Sequence, residues 1–548
     1  MPAVVTDQFR IVNASNFIDS ISDTSNSYYV FLGLANPTTG NRLADGTESV
    51  GIGRSSTWNN GTELSVPTPT DNLQYLSLYN ETQLFGKKIT TSNVKRVITK
   101  YQWRANTRYD MYRHDYDISK NPSPNGKSGL YNTNYYVMNS DYRVYICIDN
   151  GSSGSLPQGK RSLDEPTFTD LEPSAAGTSG DGYIWKYLYT VNPSDIIKFD
   201  STKYIVLPND WSTSTDPQIE TVRDAGNSDL YKNQIKKIYI ENAGSGYSDT
   251  TPDGETVNIL GDGVGGKAIV KIDDSSISSV EVISGGSGYT YGIVDLSTLN
   301  NEGVNSPSFS YAKLIPIIPP SKGHGYDLYK ELGADKVLVY NRFDDSTKDF
   351  PTNTTFAQIG IVKNPTTVGT ASSVFVQNQY SSLSAFKFSS VTNESLTVPA
   401  IGQRIHQTTP QGTAQGYIAS YDRETKVLKY VQDRTLYMNP SSNDTVDHAG
   451  ISTTGNVLEF YTADPNSAAT VNTVVSDDGF TGTIDRNFTG ISTNPSGNKL
   501  ITLGLNFTYG HAPAEINKGS GEIIYIDNRP EINRNSRQKE DVKIILEF

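Results

Sequence analysis

The chain has 548 residues, a formal net charge of −13, 19% charged residues and one cysteine. No basic run is longer than a pair, which excludes the clustered Lys and Arg that phosphate-backbone binding of nucleic acid requires. A single cysteine excludes an intrachain disulfide framework, and no apolar stretch approaches the ~18 residues of a membrane-spanning helix. The opening MPAVVTDQFR lacks the basic and apolar regions of a secretory signal, so a product of the cytosol is expected. At ~150 residues per domain, the length implies about three to four domains. The chain holds 34 Tyr and 46 Gly but only 4 Met; with its many Thr, Val and Ser residues, it predicts an all-β protein rich in turns.

The first helical spacing falls in ASNFIDSISD, with Phe17, Ile18 and Ile21 aligned and Ser15 as N-cap. SYYVFLGLA reads as a strand ending at Asn36-Pro37, followed by SLYNETQLFGKKI, NVKRVITKYQW and the Tyr- and Asp-rich RANTRYDMYRHDYD. After the turn NPSPNGKSG, the run YYVMNSDYRVYICID predicts a hairpin about its polar MNSD link. GDGYIWKYLYTV and TKYIVLP are two further strands, closing this region near residue 210. IKKIYIENAGSGYSDT then returns as ISSVEVISGGSGYTYG, a strand followed by Gly-Ser-Gly-Tyr. A repeat at ~45 residues fits a small duplicated β unit. Its glycines supply positive φ, and its tyrosines can fold back over the preceding strand.

YAKLIPIIPP and SKGHGYDLYKELGA lead to the strands KVLVYNRFD and FAQIGIVKNP. From about 372 the composition shifts to Ser, Thr, Asn and Gln, with short strands FVQNQY, IGQRIHQTT, QGYIASYD, KVLKYVQD and NVLEFYT. RIHQTTPQGTAQGYIASYDRETKVLKYVQD reads as a compact β module with turns at Pro410-Gln411-Gly412 and Asp422-Arg423. The chain closes on EIIYI, a polar connection with Pro530, and DVKIILEF. Asp527, Asn528 and Arg529 read as a capped hairpin loop in which Pro530 ends the ladder. The even positions Val542, Ile544, Leu546 and Phe548 form one apolar face, which predicts a buried last strand.

The histidines are His114, His324, His406, His448 and His511, and none lies three or four residues from another. An HExxH-type zinc pair is therefore missing. His324 lies between two glycines in SKGHGYD; a tight turn is the ordinary reading, an exposed catalytic imidazole the sharper one. GDGVGG at 261 to 266 lacks the Lys-Ser/Thr of a P-loop and reads as a turn. Asp110, Asp115 and Asp117 could furnish the carboxylate pair of a glycosidase, but Arg104, Arg108 and Arg113 beside them favour ion pairs. Cys147, inside the apolar YRVYICID, reads as a buried, unreactive thiol. No catalytic, cofactor-binding or metal-binding residue is assigned, and no cofactor is expected.

The ending, from Gly521-Glu522 through Asn528-Arg529-Pro530 to a last strand with terminal Phe548, resembles that of the baseplate wedge proteins encoded by gene eight of T-even-type contractile-tailed phages. NFIDSISDTSNSYYVFLG, GDGYIWKYLYTVNPSDIIKFDSTKYIVLP and FAQIGIVKNP match the same family in the same order. The resemblance divides the chain into a wedge core over 1–230, 311–370 and 500–548, with inserted β modules over 231–310 and 371–499. It implies an all-β fold of antiparallel, sandwich-like sheets with few short helices, the core interrupted by the two modules. It further implies a structural, non-enzymatic subunit of the tail baseplate wedge, made in the host cytoplasm and placed in the virion. Its partners would be a second copy, as a homodimer, and other wedge proteins, with neither nucleic acid nor membrane. The alternative is a tail-associated receptor-binding or glycan-degrading protein.

Overall fold

The computed structural model describes residues 6–33, 79–80, 82–116, 129–225, 234–299, 309–344, 350, 355–369, 373–392, 403–409, 412–431, 460, 472–495, 497, 499–534 and 538–548. The expected turns at 121–128 and at Pro410-Gln411, most of the strand at 456–462, and the candidates Asp117 and His448 lie outside these residues. The class is all-β: antiparallel sheets carry the fold, and the described residues include α-helices at Asp7–Ser22, Pro193–Phe199, Pro217–Ala225 and Leu328–Glu331, with helical residues also at 79–80. Two compact units divide the chain, one of Met1–Phe17, Lys95–Leu338 and Ile545–Phe548, the other of Ile18–Val94 and Val339–Ile544.

The first helix starts well before the expected point. Ser15 is no N-cap; it lies mid-helix, and its hydroxyl donates to the Ile11 carbonyl at 3.0 Å. Ile11, Ala14 and Ile18 form the buried stripe, a helical spacing that extends the apolar pattern one turn upstream.

In the first unit, the predicted hairpin forms between Tyr136–Met138 and Arg143–Asn150, with Val137 opposite Tyr145. Tyr183–Thr190 pairs on the far side of Arg143–Asn150, and Ser174–Ala175 follows it. The sheet is dense with aromatic rings: Tyr183 stacks on Trp185, and Tyr109 meets both edge-on. Cys147 is fully buried, which pushes its thiol well above the usual range.

The second copy of the Gly-Ser-Gly-Tyr repeat lies in a four-stranded sheet in the order Ser276–Ser287, Val264–Asp273, Glu255–Gly261, Gly292–Val294. This is a three-stranded meander whose fourth strand returns beside the first; the strand of the first copy, Ile238–Asn242, lies outside this sheet. Asp262 and Gly263 make the turn read from GDGVGG, between the strands Glu255–Gly261 and Val264–Asp273. Gly244 and Gly246 have φ of +68° and +87°, and Gly286 and Gly288 have +61° and +79°. Both tyrosines are buried, but their hydroxyls reach past the strand each follows to other segments. Tyr289 donates to the Ile259 carbonyl at 2.8 Å and accepts from the Gly266 N–H at 3.1 Å. Tyr247 accepts from the Ala312 N–H at 2.9 Å. The core beneath the meander takes in Ile235, Val257, Ile259, Val270, Leu314 and Ile318, and Lys313–Pro316 pairs with Ile238–Asn242.

In the second unit, Tyr28–Gly33 is the middle strand of a five-stranded sheet and is buried along its whole length. Gln83–Ile89 and Thr355–Lys363 flank it, with Gln379–Ser381 and Glu522–Asn533 outermost. The last of these corrects the reading of the polar connection. Asp527 to Pro530 is no loop but the middle of one strand, paired as far as Asn533. Pro530 is tolerated because the strand is a sheet edge and bulges opposite the Phe356–Gln358 step. Asn528 faces inward and accepts from the Gln358 amide at 3.1 Å.

Beside this sheet, six strands close into an antiparallel barrel: Ser384–Thr392, Val427–Val431, Gly412–Asp422, Arg404–Thr409, Thr473–Ser476 and Thr481–Ile484, which returns to the first. Closure removes the open edges that a sandwich leaves. Phe386, Phe388, Ile405, Ile418, Leu428 and Phe480 fill it. The turn expected at Asp422-Arg423 is present, Asp422 pairing with Val427. FVQNQY gives only Gln379–Ser381, and that strand joins the five-stranded sheet rather than the barrel.

Candidate functional site

The densest group of polar side chains in the first unit surrounds His324. Gly323 and Gly325 have φ of +82° and +92°, so the two glycines do make the tight turn that SKGHGYD suggests. The imidazole is nearly buried, and its Nδ1 contacts the Glu331 carboxylate. The other Glu331 oxygen accepts from the Gly325 N–H at 2.7 Å. Glu331 reaches this position from a single helical turn, Leu328–Glu331, whose N-cap Asp327 accepts from the Lys330 N–H. Tyr112 meets His324 edge-on at 4.8 Å; burial, and then the Glu331 charge, raises its phenol above the usual range.

A crevice of about 10 Å³, the space of roughly one water, opens between Tyr112, His324, Lys236, Lys237, Ile317 and Pro319. Its cations are already committed. Lys237 pairs with Asp149 at 2.8 Å and donates to the Ser152 carbonyl, and Lys236 pairs with Glu172 at 3.1 Å. The arrangement fixes a turn and neutralises buried charge; it leaves no room for a substrate.

Of the carboxylates singled out in the sequence, Asp117 lies outside the described residues, and Asp110 and Asp115 are engaged separately. Asp115 is held by the Arg113 guanidinium at 3.0 and 2.9 Å, and that guanidinium lies 3.9 Å over the Tyr239 ring. Asp110 is buried, its N–H donating to the Asn134 side chain. The described histidines are dispersed as well. His114 accepts from the Ile318 N–H at 3.1 Å, and burial holds its pKa down. His406 lies 3.6 Å from Asp477, itself gripped by Arg404 at 2.9 and 3.1 Å. His511 meets the Tyr430 hydroxyl at 3.0 Å. Among the described residues, no three His, Cys, Asp or Glu side chains gather as metal ligands, and no helix is long and apolar enough to cross a membrane.

Sequence reasoning missed Glu331, Lys237 and Asp149, which carry no local signal beyond the Asp327 cap. It also missed the outer face of the Gly-Ser-Gly-Tyr meander. There Leu260 and Ile293 stand opposite each other, 53% and 64% exposed. Val264 and Tyr291 are exposed as well, but Val264 alternates in phase with the buried Gly266, Ala268 and Val270 and so belongs to the other face. Single exposed apolar residues are ordinary for a folded surface; an opposed pair such as Leu260 and Ile293 is a place where another molecule can pack.

No family model matches the chain. Over 235 residues it is 26% identical to the baseplate wedge protein gp8 of Enterobacteria phage T4. The chain is a distant relative of this wedge protein family. The match takes in 39% of this chain and 63% of the T4 wedge protein, so it spans less than two thirds of that relative's length. The wedge-protein resemblance read from the ordered sequence blocks and this alignment agree on the family.

Proposed function

We propose that the chain is a structural subunit of a phage tail baseplate, a wedge component located in the virion and acting without catalysis or cofactor. The relationship to a baseplate wedge protein carries this reading. Two observations support it. The cations around the one crevice described are paired internally, and the opposed Leu260 and Ile293 present an apolar pair on which a partner can pack. In this reading the chain forms a homodimer within each wedge and packs on other wedge proteins of a contractile tail. The blocks 1–230, 311–370 and 500–548 form the wedge core, and 231–310 and 371–499 are additions to it.

Electron microscopy of intact tails tests the proposal. The expected outcome is density for this chain in a ring at the baseplate, two copies per wedge. Copies confined to fibre tips would instead make it a receptor-binding protein, and one copy per wedge would remove the homodimer while leaving the baseplate role.

A further inference from the structure

Among the described residues, the strand His511–Ala512 pairs with the barrel at two positions, Ala385 and Phe386. It ends an excursion whose strands, Gly490–Thr493 and Ile501–Phe507, pair with each other and no further sheet. This excursion rests on a small apolar group of Ala385, Val427, Leu503, Leu505, Phe507 and Ala512. One backbone bond adds to it, Lys387 N–H to the Gly510 carbonyl at 2.8 Å, while the Gly510 N–H bonds the Phe488 carbonyl at 2.9 Å within the excursion itself. Such a unit opens at lower cost than a closed barrel, because few buried contacts and few ladder bonds hold it.

His511 sits at the attachment. Its ring lies 5.4 Å from Phe386, and its Nε2 is 3.0 Å from the Tyr430 hydroxyl. The charged side chains on the elements around it are Lys387 and Lys429 on the two barrel strands and Asp485 beside Gly510. Among the described residues no carboxylate forms an ion pair with His511. Lys387 and Lys429 alternate to the opposite face of their strands, so protonation would place an uncompensated cation against the aromatic rings of Phe386 and Tyr430.

We propose that His511 is an acid-sensitive latch that seats the excursion 488–512 on the barrel when neutral and releases it when protonated, with the barrel still closed.

Burial pushes the His511 pKa down to about 4 in the seated state, against about 6.5 for a solvated histidine. The released state thus binds more protons between these values. Seating is at full strength above the solvated value, weakens as pH falls through the window, and levels off below about pH 4. Between the limits, the ratio of released to seated molecules rises by about 300-fold.

Hydrogen exchange read by mass spectrometry on the full chain tests the latch, at about pH 7 and about pH 4.5, corrected for intrinsic rate. The wild type should lose protection over 501–512 at the lower pH while 412–422 and 427–431 keep theirs. The variant His511→Gln should show no such pH dependence, whatever its absolute protection. Tyr430→Phe, which leaves the imidazole titratable, should retain it. Undiminished wild-type protection at the lower pH overturns the proposal, as does an equal loss in His511→Gln. If His511→Gln fails to fold, NMR titration of the wild-type histidines decides: a His511 midpoint near the solvated value with 501–512 still protected overturns the latch, and a depressed midpoint with acid release supports it.

Discussion

Gly360 shows how a single position constrains the middle of a sheet. It lies opposite Phe31 in the five-stranded sheet, and a Cβ there would stand 2.4 Å from the Phe31 ring and 2.7 Å from the Tyr525 carbonyl oxygen. Neither can move freely, because Phe31 is fully buried and the carbonyl belongs to the next strand. Gly360→Ala should therefore destabilise the chain by about 1–3 kcal/mol through overpacking, read as a lowered denaturation midpoint. The requirement is invisible in FAQIGIVKNP, where a glycine within a strand run could equally mark a bulge. The same holds for His324 and Glu331, seven residues apart in the sequence. The turn at Gly323-His324-Gly325 was legible because glycine spacing is local chemistry. The carboxylate that completes it was not, because it depends on where a single helical turn comes to rest.

At the scale of elements, alternation was the most readable signal. The last strand, Glu540–Glu547, buries Val542 and Ile544 and exposes Asp541, Lys543 and Glu547, as its two-residue period requires. Leu546 and Phe548 are half-buried on the same face, and Phe548 packs 5.6 Å from Phe17. Burying the two core residues contributes about 1.5–3 kcal/mol each, a sizeable share of a domain's net stability. Deleting residues 541–548 should accordingly abolish soluble expression, whereas Ile544→Ala should cost about 2–5 kcal/mol and leave a folded protein; soluble, cooperatively melting truncated chain would show the strand to be dispensable. Alternation could not resolve the polar run at 527 to 530. Proline and charge there read as an interruption, and on a bulged edge strand they are compatible with continued pairing. Barrel closure was equally hidden, since it depends on which short strands pair and not on any one strand's pattern.

For the molecule as a whole, the question is where the additions to the proposed wedge core begin and end. Excising 236–308 would leave Lys313–Pro316 without the strand Ile238–Asn242 and expose Leu314. A cut taking 235–316 removes both strands of that pair together. The second deletion, bridged by a short Gly-Ser linker, should give soluble protein that melts at a higher temperature than the first; the reverse order would mean that Lys313–Pro316 belongs to the core and not to the meander. The overall class was legible because tyrosine, glycine and threonine content reports on strands and turns wherever they fall. The division into units was less so, since pairing partners lie far apart along the chain.

That distance has a consequence for synthesis. The strand Tyr28–Gly33 emerges early from the ribosome, but one of its two neighbours is Thr355–Lys363, whose own outer partner is Glu522–Asn533. YYVFLG can pair early with Gln83–Ile89, but its other edge must wait, apolar and open, while most of the polypeptide is translated. The barrel draws its strands from a shorter stretch and can mature ahead of the sheet whose first strand was made long before. During that interval the early strand is the part of the nascent chain most exposed to mispairing. Slower translation lengthens that exposure, so yield in a heterologous host should depend on holdase chaperones acting on the first hundred or so residues.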